Sequence, residues 1–134
     1  MLGKRAKNAS RCLEDDRGRV GALGESVAVK ALKEAGYKIL ELNYRCKLGE
    51  IDIIARERGV LVFVEVKARR SDRFGDPKTA VTPKKQRKVS MVALEYLKHN
   101  GGSDEKARFD VVAIKLRSPQ PDVEIVRNAF DLAY

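Results

Sequence analysis

The stretch Glu50-Ile51-Asp52-Ile53-Ile54-Ala55-Arg56-Glu57-Arg58-Gly59-Val60-Leu61-Val62-Phe63-Val64-Glu65-Val66-Lys67 decides how this chain is read. Its two Val- and Ile-rich halves have the composition of buried strands. Between them Arg58-Gly59 supplies the glycine of a two-residue hairpin turn. Such a turn sets Glu57 opposite Val60, and counting back places Asp52 opposite Glu65 and Glu50 opposite Lys67. Directly opposed residues have Cβ atoms about 4.5–5.5 Å apart. Alternation then sends Glu50, Asp52, Glu65 and Lys67 to one face, beside an apolar wall of Ile54 and Phe63.

Charges in such a setting are costly unless paired, hydrogen-bonded or bound to a metal. Two adjacent carboxylates repel, and one of them takes a raised pKa. Mg2+, with Mn2+ as the alternative, resolves the conflict, because a hard cation prefers oxygen ligands and keeps several waters while it binds phosphate. Asp52 and Glu65 would hold the ion and leave positions for a scissile phosphate and a water. Lys67 would hold that water or offset charge on the pentavalent phosphate. Spacing alone admits a second reading, in which Lys67 and nearby arginines neutralise the acids as a structural salt-bridge cluster.

Upstream, Val20, Leu23, Val27, Ala28, Ala31, Leu32 and Ala35 fall on one arc of a helix predicted from Gly18 to Ala35. Gly36 stands where a left-handed C-cap would end it. Glu25 borders the apolar arc. If the helix packs on the acidic face of the sheet, Glu25 approaches Asp52 and completes the site. Residues Met1 to Arg17 read as a basic arm, and residues 18–134 as a single domain. Tyr37 to Tyr44 reads as the first strand.

Downstream, Ala68 to Pro83 is a polar connection suited to a substrate-facing loop. Thr82 and Pro83 are the N-cap and first residue of a second helix, whose inner face is Val89, Val92, Ala93, Tyr96 and Leu97. Gln86 lies near that face, placed either to reach a phosphate or a metal-bound water or to make a plain surface hydrogen bond. Phe109 to Leu116 and Val123 to Arg127 read as the last strands, giving the order α-β-β-β-α-β-β. Asp110 is expected in a structural ion pair.

The 134 residues carry 28 Lys and Arg against 19 Asp and Glu, a formal charge of +9 that favours a polyanionic partner. Arg69, Arg70, Arg73, Lys78, Lys84, Lys85, Arg87 and Lys88 crowd the segment around the loop, where contacts to a phosphate backbone are expected. Two cysteines and one histidine leave little for a disulfide framework or a zinc site. No stretch approaches the roughly 18 apolar residues of a membrane span. A cytoplasmic protein is expected.

The motifs Gly21-Ala22-Leu23-Gly24-Glu25-Ser26-Val27-Ala28, Gly49-Glu50-Ile51-Asp52, Phe63-Val64-Glu65-Val66-Lys67, Phe74-Gly75-Asp76-Pro77, Lys84-Lys85-Gln86-Arg87-Lys88 and Arg108-Phe109-Asp110-Val111-Val112 together resemble the bacterial YraN-like family. That family is described as endonuclease-like and is similar to archaeal Holliday-junction resolvases. The resemblance implies a restriction-endonuclease-like α/β fold, with a mixed central sheet flanked by helices. It also implies Mg2+ bound by Glu25, Asp52 and Glu65, with Lys67 as their catalytic companion. DNA, branched or junction DNA included, would be the substrate, and a symmetric homodimer the assembly. Some RecB-like relatives carry Gln-x-x-x-Tyr on the second helix. Here Gln86 is followed at that spacing by Ser90. The competing class is a nucleic-acid-binding protein of the same fold without turnover. The last two strands, with Phe130 and Tyr134, are the candidate dimer surface.

Overall fold

The computed structural model describes residues 12–70, 81–100, 105–117 and 119–132, with side chains from residue 21 onward. Seven elements follow in order: α1 (Cys12–Glu34), β1 (Lys38–Cys46), β2 (Gly49–Glu57), β3 (Val60–Arg69), α2 (Pro83–Asn100), β4 (Ala107–Lys115) and β5 (Asp122–Phe130). The strands form one sheet in the order β1-β2-β3-β4-β5. Every neighbouring pair is antiparallel except β3 and β4. That parallel pair needs a long connection, which α2 supplies. The expected mixed sheet flanked by helices is what forms.

Local chemistry accounts for the element ends. Arg58 and Gly59 have φ of 51° and 80°, the left-handed pair of a type I′ turn, and Glu57 faces Val60 as counted. At the end of α1, Gly36 has φ 99°, Tyr37 N–H donates to Leu32 O at 2.9 Å and Gly36 N–H to Lys33 O at 3.1 Å. These are the two bonds of a Schellman C-cap. Lys85 N–H donates to Thr82 Oγ1 at 3.2 Å, so Thr82 caps α2 ahead of Pro83.

The elements depart from expectation at several ends. Helix α1 starts at Cys12 rather than Gly18, so it takes in the last residues of the expected basic arm. Residues 1–11 lie outside the described residues, as do Arg73, Phe74-Gly75, Lys78 and Tyr134. Strand β5 runs on to Phe130 rather than stopping at Arg127. Asn128 adopts φ 54° and its N–H turns to Asp110 Oδ1 at 2.9 Å. That bulge lets pairing resume at Phe109 and Phe130.

Each face of the sheet carries its own core. On one, Ala28 and Leu32 of α1 bury against Ile53, Ala55, Val62, Val64, Val112 and Ile114. On the other, Val89, Val92, Ala93 and Tyr96 of α2 cover Ile51, Ile54, Leu61, Phe63 and Phe109. Leu23, expected in the buried arc of α1, is instead 52% exposed. The contact line of the helix runs through small residues: a Cβ added at Gly24 would sit 2.7 Å from Ala68 Cβ on β3. Close approach there turns Leu23 outward.

A buried polar network ties the α1 face together at the start of β4. Fully buried Asp110 accepts from Tyr37 Oη at 2.7 Å and from Arg108 Nε at 2.9 Å. Arg108 also binds Glu57, which Arg127 Nη2 holds from β5 at 2.8 Å. The structural ion pair expected of Asp110 is present, with every buried oxygen partnered.

Candidate metal and nucleic-acid site

The acidic residues meet where β2 and β3 part. Their backbone pairing runs from Glu57 with Val60 to Ile53 with Val64 and goes no further. At the next step Val66 N–H donates to Asp52 Oδ2 at 2.8 Å. The direct opposition of Asp52 and Glu65 counted from the turn is thus replaced: the carboxylate occupies the place of a ladder carbonyl. The side-chain alternation of β2 breaks at the same point. Ile51 and Ile54 both pack on the α2 face, whereas Ile53 and Ala55 pack on the α1 face. Glu50 is held by Arg45 Nε at 2.8 Å rather than by Lys67.

Glu65 keeps the phase of Leu61 and Phe63 and projects on the α2 side, with only 6% of its side chain exposed. Lys67 Nζ stands 3.5 Å from Glu65 Oε2, and Lys85 Nζ of α2 stands 3.8 Å from the same oxygen. Burial, then the charge of Asp52, push the Glu65 carboxyl up to about 7, against the pull of Lys85 and Lys67. Burial also raises Asp52, opposed by the Val66 amide and by Lys85. The two carboxylates are therefore close enough to resist each other's ionisation, and two lysines offset that only in part.

Glu25 comes from the other side. Helix α1 packs on the sheet face opposite α2, not on the face of Glu65 as the completed site would require. Its carboxylate accepts from Asn43 Nδ2 at 2.8 Å, and Asn43 takes φ 53° within β1. Among the described residues, no three His, Cys, Asp or Glu side chains gather as a metal-ligand group. The donor set that does assemble is the pair Asp52 and Glu65. Two acceptor-only carboxylates in mutual repulsion, open on the lysine side, fit a hard divalent cation that retains water.

Gln86 turns back on its own loop: Nε2 donates to Val81 O at 2.9 Å, and its N–H to Thr82 O at 2.8 Å. Lys85, read from sequence only as a backbone contact, is the residue of α2 that reaches the acids. Its position in the first turn after Thr82 was the available signal. The Val66 amide and Asn43 carried none. Lys84, Arg87 and Lys88 are exposed on α2. Arg69 Nη1 donates to Ala68 O at 3.1 Å. Arg70 lies on the α1 side, near Leu23 and Leu116. Among the described residues of this basic set, Lys67 and Lys85 are the ones that stand beside Glu65. No helix among the described residues is long and apolar enough to cross a membrane.

Comparison with known sequences gives one consistent result. A family model described as Uncharacterised protein family UPF0102 matches residues 24–114, which contain Glu25, Asp52, Glu65, Lys67 and Gln86. A UPF0102 protein of Syntrophus aciditrophicus is 53% identical over 116 residues, covering 87% of this chain and 91% of the relative. Those of Geobacter sulfurreducens and Rhodococcus jostii are 49% and 48% identical, over 86% and 83% of this chain and 91% and 95% of theirs.

Proposed function

We propose that this chain, which belongs to the UPF0102 family, is a metal-dependent endonuclease of restriction-endonuclease-like fold that hydrolyses phosphodiester bonds in DNA, branched DNA included. The observation that carries the reading is the Asp52–Glu65 pair in the opening between β2 and β3, with Lys67 and Lys85 beside Glu65. A structural cluster would be better neutralised than this one.

Asp52 and Glu65 would hold Mg2+ or Mn2+. Such an ion supplies Lewis-acid polarisation of the phosphoryl group and a lowered pKa for water. The chain's own residues do the rest. The Val66 amide fixes one oxygen of Asp52, and the other, with no hydrogen bond among the described residues, would be the one to bind the ion. Without a cation Glu65 retains a proton near neutrality. Lys67 and Lys85 orient the phosphate and offset charge that builds on its oxygens. Lys84, Arg87 and Lys88 hold the flanking backbone. Glu25, joined to Asn43, would act through water rather than as a direct ligand.

A panel of duplex, single-stranded and branched DNA, and RNA, incubated with Mg2+ or with chelator, tests this. Cleavage of DNA that chelator stops, and that Glu65→Ala and Asp52→Asn both lose, is the expected result. Cleavage that persists in both variants sinks the reading. The second reading is a binding module without turnover, and the two lysines already on Glu65 favour it. It predicts salt-sensitive binding and no cleavage.

A further inference from the structure

The turn between β1 and β2 carries two side chains that packing does not explain. Cys46 pairs with Gly49, so the turn is Lys47-Leu48 alone. Both are exposed, Leu48 to 44%. The glycine-demanding backbone falls on Gly49, at φ 145°, and on neither of them. Turn geometry therefore asks for no leucine here, where Gly, Asn, Asp or Ser are the usual residues. The base of the turn is braced. A Cβ added at Gly49 would sit 3.3 Å from Val92 Cγ2 on α2, and Tyr44 meets Tyr96 edge-on with centroids 5.1 Å apart. Tyr44 and Cys46 both pack on the α2-side core. The helix that carries Lys85 thus also supports this tip.

The tip also lies beside the acidic pair. Glu50, the second residue after Leu48, is near enough to Asp52 for its charge to oppose that carboxylate's ionisation. From Leu48 to Asp52 is about 13 Å of extended strand, or about four base-pair rises of DNA. The charges suit a polyanion. Arg45 neutralises Glu50 at 2.8 Å, and Lys47 has no partner among the described residues. Lys84, Arg87 and Lys88, exposed on α2, carry the same sign.

We infer that the Lys47-Leu48 tip is a DNA-reading wedge: Leu48 enters a base step near the scissile phosphate, and Lys47 binds the adjoining backbone. The inference takes its partner from the nuclease reading and rests on it to that extent. An apolar side chain inserted between bases must unstack them, which costs least where the stack is already broken. The tip therefore selects bulged, mismatched or branched duplex over continuous duplex. A lysine alone would add affinity without that selection, because phosphate contacts position a protein and do not discriminate. Leu48 is the residue that discriminates.

Binding measured by fluorescence anisotropy in chelator, where no metal-dependent cleavage interferes, tests this. The parent should bind a bulged or four-way branched duplex about tenfold or more tighter than the continuous one. Leu48→Ser should lose most of that preference and keep its duplex affinity within about twofold. Lys47→Met should weaken both complexes alike and shorten the salt slope by about one. A 2-aminopurine placed within about four steps of the branch should brighten with the parent and stay dim with Leu48→Ser. Both positions are exposed, so the thermal melts should coincide; should Leu48→Ser melt early, Leu48→Gln replaces it. A parent without preference for broken stacks overturns the proposal, and so does a preference that both leucine variants retain. Absence of DNA binding at low salt overturns it too, and assigns the tip to another kind of partner. The two readings fail separately. Preference lost in Leu48→Ser by a chain that never cleaves keeps the wedge without the catalysis. Cleavage that depends on Asp52 and Glu65 but not on Leu48 keeps the nuclease without the wedge.

Discussion

The N–H of Val66 donates to Oδ2 of Asp52 where the pairing of β2 with β3 would otherwise continue. One carboxylate oxygen thus closes the ladder, and the backbone pairing of the two strands ends there. The other oxygen makes no hydrogen bond among the described residues, and the charge of Asp52 bears on Glu65. A single aspartate both ends the sheet pairing and supplies the first donor of the candidate site.

That double role separates two substitutions. Asp52→Ala removes the acceptor of a part-buried amide and should cost about 1–3 kcal/mol of folding stability. Asp52→Asn keeps an acceptor for Val66 and removes the charge that opposes Glu65, so its stability should stay near that of the parent. Both should lose metal-dependent cleavage. Urea unfolding of the two variants beside the parent checks the difference, and equal losses would mean the Val66 bond contributes nothing.

Glu65 and Glu57 should leave opposite marks on the pH profile. The Glu65 carboxyl is raised from 4.5 to about 7, so the folded state holds its proton more tightly than the unfolded state. Stability therefore falls as pH rises through the window from about 4.5 to 7. Glu57 is lowered to about 2, chiefly by its hydrogen bonds to Arg127, so its contribution is complete above 4.5 and fades as pH falls towards 2. Melting temperature against pH without metal should be highest near 4.5. Glu65→Gln should flatten the fall above that point, and Glu57→Gln the fall below it. Magnesium affinity should rise with pH up to about 7, since the ligand must shed its proton.

Lys85 should matter more than its neighbours on α2. It is the helix residue that meets Glu65, and its charge opposes the raised pKa of both acids ahead of Lys67. Lys85→Met should lower the cleavage rate about tenfold or more, with a smaller effect on DNA affinity. Lys88→Met should do the reverse, weakening affinity and shortening the salt slope. Identical behaviour of the two variants in single-turnover assays would return Lys85 to the general basic rim.

Much of this frame could be read before any coordinates, because the decisive features were local. Arg58-Gly59 set the register as far as Ile53 and Val64, Thr82-Pro83 opened α2, and Gly36 closed α1. The site was legible as a set of residue types: Asp52, Glu65 and Lys67 come together at one opening. What escaped depended on packing. Nothing in Ile51-Asp52-Ile53 announces that the aspartate will take a backbone amide and end the ladder. The face chosen by α1 depends on how near Gly24 comes to Ala68, a contact between residues distant in sequence. That contact line is what leaves Leu23 outside the core.

The close approach of α1 to β3 yields a last test. Alanine is a better helix former than glycine by about 0.8–1 kcal/mol, so Gly24→Ala should stabilise α1 taken alone. In the fold the new Cβ would lie 2.7 Å from Ala68 Cβ, and neither atom ends a flexible side chain that could swing aside. Helix and strand would have to part, at a typical overpacking cost of about 1–3 kcal/mol, which exceeds the propensity gain. Gly24→Ala should therefore lower the melting temperature, whereas Gly21→Ala, with open space around its Cβ, should raise it slightly. Ala68→Gly combined with Gly24→Ala should recover most of the loss by removing the opposing methyl group. If Gly24→Ala and Gly21→Ala stabilise alike, α1 does not rest on β3 at this point. The bond from Asn43 to Glu25, the next residue on the helix, would then lose its structural basis as well.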